Sequence, residues 1–224
     1  MFNRKTVKFL KALEQNNNRE WFADNKQRYE DEVRTPALEY IKSMSHYMAE
    51  ISPHFTVSAK KVGGSMMRVH RDIRFSSDKT PYKTNIGVHF KHARGKDVHA
   101  PGFYLHIEPG DVFIGAGIWR PESSTLQNVR TLIDESPKEW KKLARRITGK
   151  DGFQLDGASL KRPPVGFSKD HPLIDDLKRK DFIAVQNLKV SSVYAEDFDK
   201  ITAKLFQAAS PLVKFICEAD DLPF

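Results

Sequence analysis

The chain has 224 residues, enough for one large core or two small ones, with 39% hydrophobic and 29% charged side chains. That balance excludes a disordered polymer. Lys and Arg outnumber Asp and Glu by 37 to 29, a formal net charge of +8 that favours anionic partners. The lone cysteine, Cys217, excludes an internal disulfide framework and fits a reducing cytoplasm. With no signal-peptide pattern and no apolar run of membrane-spanning length, a cytoplasmic protein without a membrane partner is expected.

Residues 1–52 read as helical. Val7, Leu10 and Leu13 mark a helix over 6–15, and Asn16-Asn-Asn18 ends it and caps the next, whose apolar members are Trp21, Phe22, Tyr29 and Val33. Thr35-Pro36 predicts a fresh helix start, and Leu38, Ile41, Met44 and Met48 recur at helical spacing up to Ser52-Pro53.

Over 55–119 the period changes to two. Ile86, Val88 and Phe90 alternate with His89 and Lys91, Phe103, Leu105 and Ile107 with Tyr104, His106 and Glu108, and Val112, Ile114, Ala116 and Ile118 follow the turn Pro109-Gly110-Asp111. Short turns predict an antiparallel meander. If the apolar sides cover one core, the other face collects Arg68, His70, Asp72, Arg74, Asn85, His89, Lys91, Tyr104, His106 and Glu108. Gly115 and Gly117 sit at alternate positions, where missing side chains let a backbone, a ring or a ligand approach the sheet. No dinucleotide-binding glycine fingerprint is present.

Residues 121–224 read as a mixed, mainly helical part with one late strand. Leu126, Val129 and Ile133 share a helical face, and Ser136-Pro-Lys-Glu139 predicts a capped start for the helix carrying Trp140, Leu143, Ala144 and Ile147. A loop over 149–167, a helix from His171-Pro172 to about Lys180, a strand over 182–190 and one or two helices over 195–217 complete the expectation of a single α+β domain, 1–224.

The most unusual stretch is Met66–Thr84. Strand alternation places Met67, Val69, Ile73 and Phe75 on one face, with Arg71 falling among them. A guanidinium there needs a carboxylate or several carbonyls, and Asp72 and Asp78 are the nearby candidates. Ser76-Ser-Asp-Lys-Thr-Pro81 is turn chemistry, and 82–90 reads as the next strand. Arg68, Arg71, Arg74, Lys79 and Lys83, helped by Ser76, form a candidate anion site, because arginine forks and lysine point charges suit carboxylate and phosphate oxygens. His70, Asp72, Tyr82 and His106 are the candidate acid–base groups. A metal held by His70, His89 and His106 is a second reading, opposed by the neighbouring arginines and by the lack of ligand spacing. Nucleic-acid or protein binding through a basic face is a third, though no nucleic-acid motif appears. The fourth is purely structural: the charged turn locks two strands through Arg71 and Arg74 ion pairs.

The same stretch carries a resemblance. Arg71-Asp-Ile-Arg-Phe-Ser-Ser-Asp-Lys-Thr-Pro-Tyr-Lys-Thr84 resembles the signature of the conserved family catalogued as domain of unknown function 2461. Asn18-Arg-Glu-Trp-Phe22 with Asn25, Lys26 and Tyr29 resembles its N-terminal helical motif. Gly115-Ala-Gly-Ile-Trp-Arg-Pro121 with Leu126 and Arg130 resembles its glycine segment. Leu160-Lys-Arg-Pro-Pro-Val-Gly166, His171-Pro172 and Leu177-Lys-Arg-Lys180 resemble its C-terminal block. The sequence departs from the family at Ala116, where a third glycine is common, and at Val165, where lysine is common. The resemblance implies boundaries and fold more than an activity. The functional expectation is binding, or turnover, of an anionic or phosphorylated small molecule at the Arg68–Lys83 region; neither a cofactor nor an oligomeric state follows.

Overall fold

The computed structural model describes residues 1–95, 99–150 and 152–224. At its centre lies a five-stranded antiparallel sheet: β1 (Ile86–Lys91), β2 (Gly102–Glu108), β3 (Asp111–Ile118), β4 (Gln154–Asp156) and β5 (Phe182–Leu188), in the order β1-β2-β3-β5-β4. The first three strands are the expected meander. The late strand pairs with β3, Ile114 opposite Gln186, and the short β4, inside the stretch expected to be loop, covers the far side of β5. Residues 149–150 end a π turn (Arg146–Lys150), residue 151 lies outside the described residues, and the remainder of that stretch forms no helix or strand. The architecture is α+β.

Helices cover one face only. They are α1 (Arg4–Gln15), α2 (Arg19–Asp24), α3 (Lys26–Tyr29), α4 (Thr35–Ile51), α5 (Ser123–Glu135), α6 (Pro137–Arg145), α7 (Ile174–Leu177) and α8 (Phe198–Ala219). α8 lies across β3, flanked by α4 and α5. Phe206 of α8 meets Phe103 at 5.4 Å and Phe90 at 6.1 Å between ring centroids. Ile86, Val88, Phe90, Leu105, Ile107 and Ile114 point into this core, and the buried side chains of helices and sheet form one contiguous cluster. Burying a side chain of this kind is worth about 1.5–3 kcal/mol, so one-faced alternation decides the register. Among the described residues no helix is long and apolar enough to cross a membrane.

Two predicted helix starts differ from expectation. Thr35 has helical dihedrals, and the chain runs from α3 through a single π turn (Glu30–Arg34) straight into α4. Pro36 lacks an N–H and crowds the preceding turn, and the wider turn accommodates it without a break. At α6, Pro137 takes the first turn as expected, but the Ser136 side chain makes no capping bond. Asn18 does cap α2, accepting from the Trp21 N–H at 2.9 Å. α7 is shorter than expected, ending at Leu177, and Arg130 closes it: the buried guanidinium donates to the carbonyls of Leu177 (2.7 Å) and Arg179 (2.9 Å). α8 is a single helix with Pro211 inside it.

Residues 54–84 form no regular strand. Instead they clothe the outer edge of β1, in two passes. Thr56 N–H donates to the Lys91 carbonyl (2.8 Å), and after an excursion turned at Gly63 (φ +68°) the chain returns, His89 N–H donating to Ser65 and Met67 N–H to Gly87, both 2.8 Å. Covering an edge strand removes a template for unwanted pairing. Beyond Met67 the chain leaves β1 and folds on itself. Lys83 N–H donates to Val69 (2.7 Å) and Arg71 N–H to Pro81 (2.9 Å). The tip 72–80 therefore projects past the sheet, and Phe75, placed by alternation on an apolar face, is 96% exposed.

Candidate functional site

The sheet face opposite the helices is open. Alternation brings Gly87, His89 and Lys91 of β1 there, with Tyr104, His106 and Glu108 of β2, Phe113, Gly115 and Gly117 of β3, and Ile183, Val185 and Asn187 of β5. A cleft of about 670 Å³ lies on this face, floored by Gly102, Gly115 and Gly117 and walled by Tyr104, Phe113 and Trp119. A second cleft, about 360 Å³, lies between the face and the 56–68 excursion, lined by Gly63, Gly64, Arg68 and Lys91 among others. Met67, Lys83 and His89 line both. The first volume is in the range of small-molecule sites.

The junction is cationic. Lys83 is half-buried, and its pKa is lowered first by burial and then by the Arg68 charge. Among the described residues, no carboxylate forms an ion pair within 4.0 Å of Lys83 or Arg68, and Asp72, gripped by Arg74, feels the Arg68 charge only from further away. Burial pushes the His89 imidazole down to about 4, helped by the Lys91 charge. The His89 ring lies over Gly102, where a Cβ would stand 2.5 Å from Nε2, and no described residue hydrogen-bonds to it. A largely neutral imidazole without a hydrogen-bond partner among the described residues is available to bond a ligand.

Beside the junction runs a polar chain. His106 stacks flat on Phe113 (centroids 4.6 Å apart, 10° between planes). Its Nδ1 lies 3.2 Å from the Tyr104 hydroxyl and 3.3 Å from the Asn85 amide nitrogen, and its Nε2 lies 3.2 Å from Glu108 Oε2. Thr84 donates to the other Glu108 oxygen. Donation from Asn85 leaves Nδ1 as acceptor and puts the imidazole hydrogen on Nε2, towards Glu108. The single Nδ1 lone pair is then shared between the Asn85 amide and the Tyr104 hydroxyl, so the phenol proton can be accepted there when Asn85 releases it. Burial, then the Glu108 charge, raises the Tyr104 phenol to about 12. Glycine at 87 admits this hydroxyl and the Met67 sulfur together, since a Cβ there would lie 2.8 Å from one and 3.0 Å from the other.

The residues singled out from sequence divide into three groups. Arg68, Lys83, His89 and His106 surround the clefts or the chain beside them. Asp72, Arg74, Ser76 and Lys79 belong to the projecting tip, with Arg71 at its base. Arg71 is bound to Asp78 and Thr80, Arg74 grips Asp72 through Nε (2.9 Å) and Nη2 (2.7 Å), and Lys79 donates to the Ile73 carbonyl at 3.0 Å. Hydrogen bonds from Arg74 hold Asp72 down to about 2, and the Thr80 N–H followed by Arg71 does the same for Asp78. His70 and Tyr82 face the N-terminal helices. Tyr82 stacks on Phe22 at 4.0 Å, its N–H and carbonyl are both bonded by Asn17, and His70 lies 5.1 Å from the Tyr82 ring. For a metal, the described residues bring ligand atoms of His106, Glu108 and Asp111 within 4.8 Å of one another, a set without His70 or His89.

Tyr104 and Trp119 are site residues that sequence reasoning did not single out. Tyr104 was legible as one of the open-face positions. Trp119 was not, because its position depends on the end of β3. Arg120 there takes a φ of +48° and its N–H is pinned by buried Asp181 at 2.7 Å. Its guanidinium lies 4.6 Å from the Trp119 ring, which also stacks on His99.

The family described as Conserved hypothetical protein (DUF2461) matches residues 5–215, and the chain belongs to that family. No curated protein and no solved structure matches it.

Proposed function

We propose that the protein binds an anionic small molecule in the joined clefts, with the negative charge at Lys83 and Arg68. One observation carries this reading: two cations held together at a cleft wall, one half-buried, with no carboxylate pairing with either among the described residues. The Arg68 charge repels Lys83 and burial strips hydration from the lysine, a cost an incoming anion offsets through charge-assisted hydrogen bonds. His89 beside them, without a hydrogen-bond partner among the described residues, adds a neutral donor or acceptor. The signature cations 71, 74 and 79 serve the tip instead, each already engaged by a carboxylate or a carbonyl. That pattern favours a compact ligand at the clefts over a polyanion spread along the basic tip. Tyr104 and His106, with Glu108 behind them, add an acid–base pair within the same face, so the site is equipped for proton transfer at the bound molecule.

The test is a thermal-shift panel of phosphates, nucleotides and carboxylates on wild type, Lys83→Ala, Arg68→Ala and Arg74→Ala. A ligand at a hundred times its Kd stabilises by about 2.7 kcal/mol, or roughly 5–10 °C for a chain of this size. The reading expects a wild-type shift that disappears in Lys83→Ala and survives in Arg74→Ala. A panel that shifts nothing, or a shift indifferent to Lys83, refutes it.

A further inference from the structure

The three glycines of the larger cleft are not alike. At Gly117 the φ is +132° and a Cβ would stand 2.0 Å from the Phe182 carbonyl oxygen, so the backbone itself demands glycine. At Gly102 a Cβ would meet His89 Nε2 at 2.5 Å and the Phe90 carbonyl at 2.6 Å, so packing demands it. Gly115 has neither reason. Its φ is negative or extended, and a Cβ would meet nothing nearer than Tyr104 Cβ at 3.9 Å and the Ala184 carbonyl at 4.0 Å. The side chain missing at Gly115 is thus room at the cleft floor, between Tyr104 on β2 and Val185 on β5, where the glycine itself is buried.

Flat sheet backbone without side chains accepts a flat group lying on it. The surroundings are apolar and aromatic: Tyr104, Phe113, Ile183, Val185 and, at the rim, Trp119 braced by Arg120 and His99. This floor leads to Lys83 and His89, which line both clefts, and on to Arg68. We propose that the ligand is a mononucleotide-type molecule, its planar ring lying over Gly115 and its phosphate held by Lys83 and Arg68. The proposal rests on the anion-binding reading above and assigns the chemical class of the ligand.

The experiment is isothermal titration of the full chain with inorganic phosphate, ribose 5-phosphate, AMP and FMN, repeated on Gly115→Leu, Gly115→Ser and Lys83→Ala. A ring-bearing phosphate is expected to bind at least tenfold tighter than ribose 5-phosphate. Gly115→Leu removes that gain and leaves ribose 5-phosphate at its wild-type Kd, and Gly115→Ser, smaller and polar, removes part of it. Lys83→Ala weakens all four. Circular dichroism and Tm of each variant establish that it is folded, and the smaller serine variant covers the case of a leucine variant that is not. If ribose 5-phosphate binds through Lys83 and rings add nothing, or if Gly115→Leu binds AMP and FMN as wild type does, the ring proposal is overturned and the anion site stands. If no phosphate compound binds, the mononucleotide proposal is overturned, and the anion site then stands or falls on the carboxylates of the thermal-shift panel.

Discussion

Gly115 and Gly117 lie two residues apart on one strand, face the same cleft, and respond oppositely to alanine. At 117 the added Cβ sits 2.0 Å from the Phe182 oxygen and 3.0 Å from Ile183 Cα. Ordinary carbon–oxygen contact needs more than 1 Å beyond that, so β3 and β5 must part where Gly117 faces Ile183. Forcing an L side chain to a φ of +132° costs about 1–3 kcal/mol, and each ladder hydrogen bond lost costs about 1 kcal/mol more. Gly117→Ala is expected to lose on the order of 3–5 kcal/mol, a fall in Tm of roughly 10 °C. At 115 the added Cβ touches nothing closer than ordinary van der Waals distance. Alanine there removes glycine's backbone-entropy cost, a gain of about 0.5–1 kcal/mol. Urea denaturation followed by circular dichroism measures both, with the midpoint moving down for one variant and slightly up for the other. A Gly117→Ala protein within 1 kcal/mol of wild type, or a Gly115→Ala protein destabilised by 2 kcal/mol, refutes the reasoning about this strand.

The His89 imidazole is held neutral down to about 4 by burial, whereas the unfolded chain titrates near 6.5. Between those values the unfolded chain binds more protons, so stability is full above pH 6.5 and falls as pH drops towards 4. The whole drop corresponds to roughly 3 kcal/mol at about 1.36 kcal/mol per pH unit. His89→Gln is expected to flatten the stability profile in that window, and an unchanged profile by urea titration at pH 7, 6, 5 and 4.5 counts against the burial. Arg130→Ala leaves the carbonyls of Leu177 and Arg179 without their donor and opens a buried space, and should lower stability by about 2–4 kcal/mol. A Tm within 2 °C of wild type contradicts it. Phe75→Ser, at a position 96% exposed, should leave the urea midpoint within about 0.5 kcal/mol of wild type, and a larger loss would mean that the tip packs against something.

The sheet was legible because burial on one side writes a period of two into the chain. Ile86, Val88 and Phe90 against Phe103, Leu105 and Ile107 fix which side of the meander faces the helices, and the late strand at 182 obeys the same rule. Helix ends were less legible, since Thr35-Pro36 has the composition of a start but the chain solves the proline with a π turn. The alternation across 66–75 failed for a different reason. A strand pattern needs a partner to hold it, and beyond Met67 the backbone, among the described residues, pairs with its own return at 81–83 rather than with the sheet. Without a sheet beneath it, Phe75 had nothing to bury against.

The same geometry explains how one charged signature divides between two tasks. Its ends, Arg68 and Lys83, lie near or in the pairing of residues 69–71 with 81–83, which holds Lys83 at the cleft. Its middle lies on the tip, where Asp72 and Asp78 are two and seven residues from the arginines they hold. Short-range pairs need no tertiary partner, so the tip can neutralise itself with its own carboxylates. Lys83 cannot: Tyr82 before it is locked by Asn17 and Phe22, and Thr84 after it is committed to Glu108. The chain on either side is thus tied to opposite structures, α2 and the sheet, and the lysine between them has little freedom to withdraw into water. A cation fixed in that way at the meeting of two clefts is the feature a ligand's charge must answer.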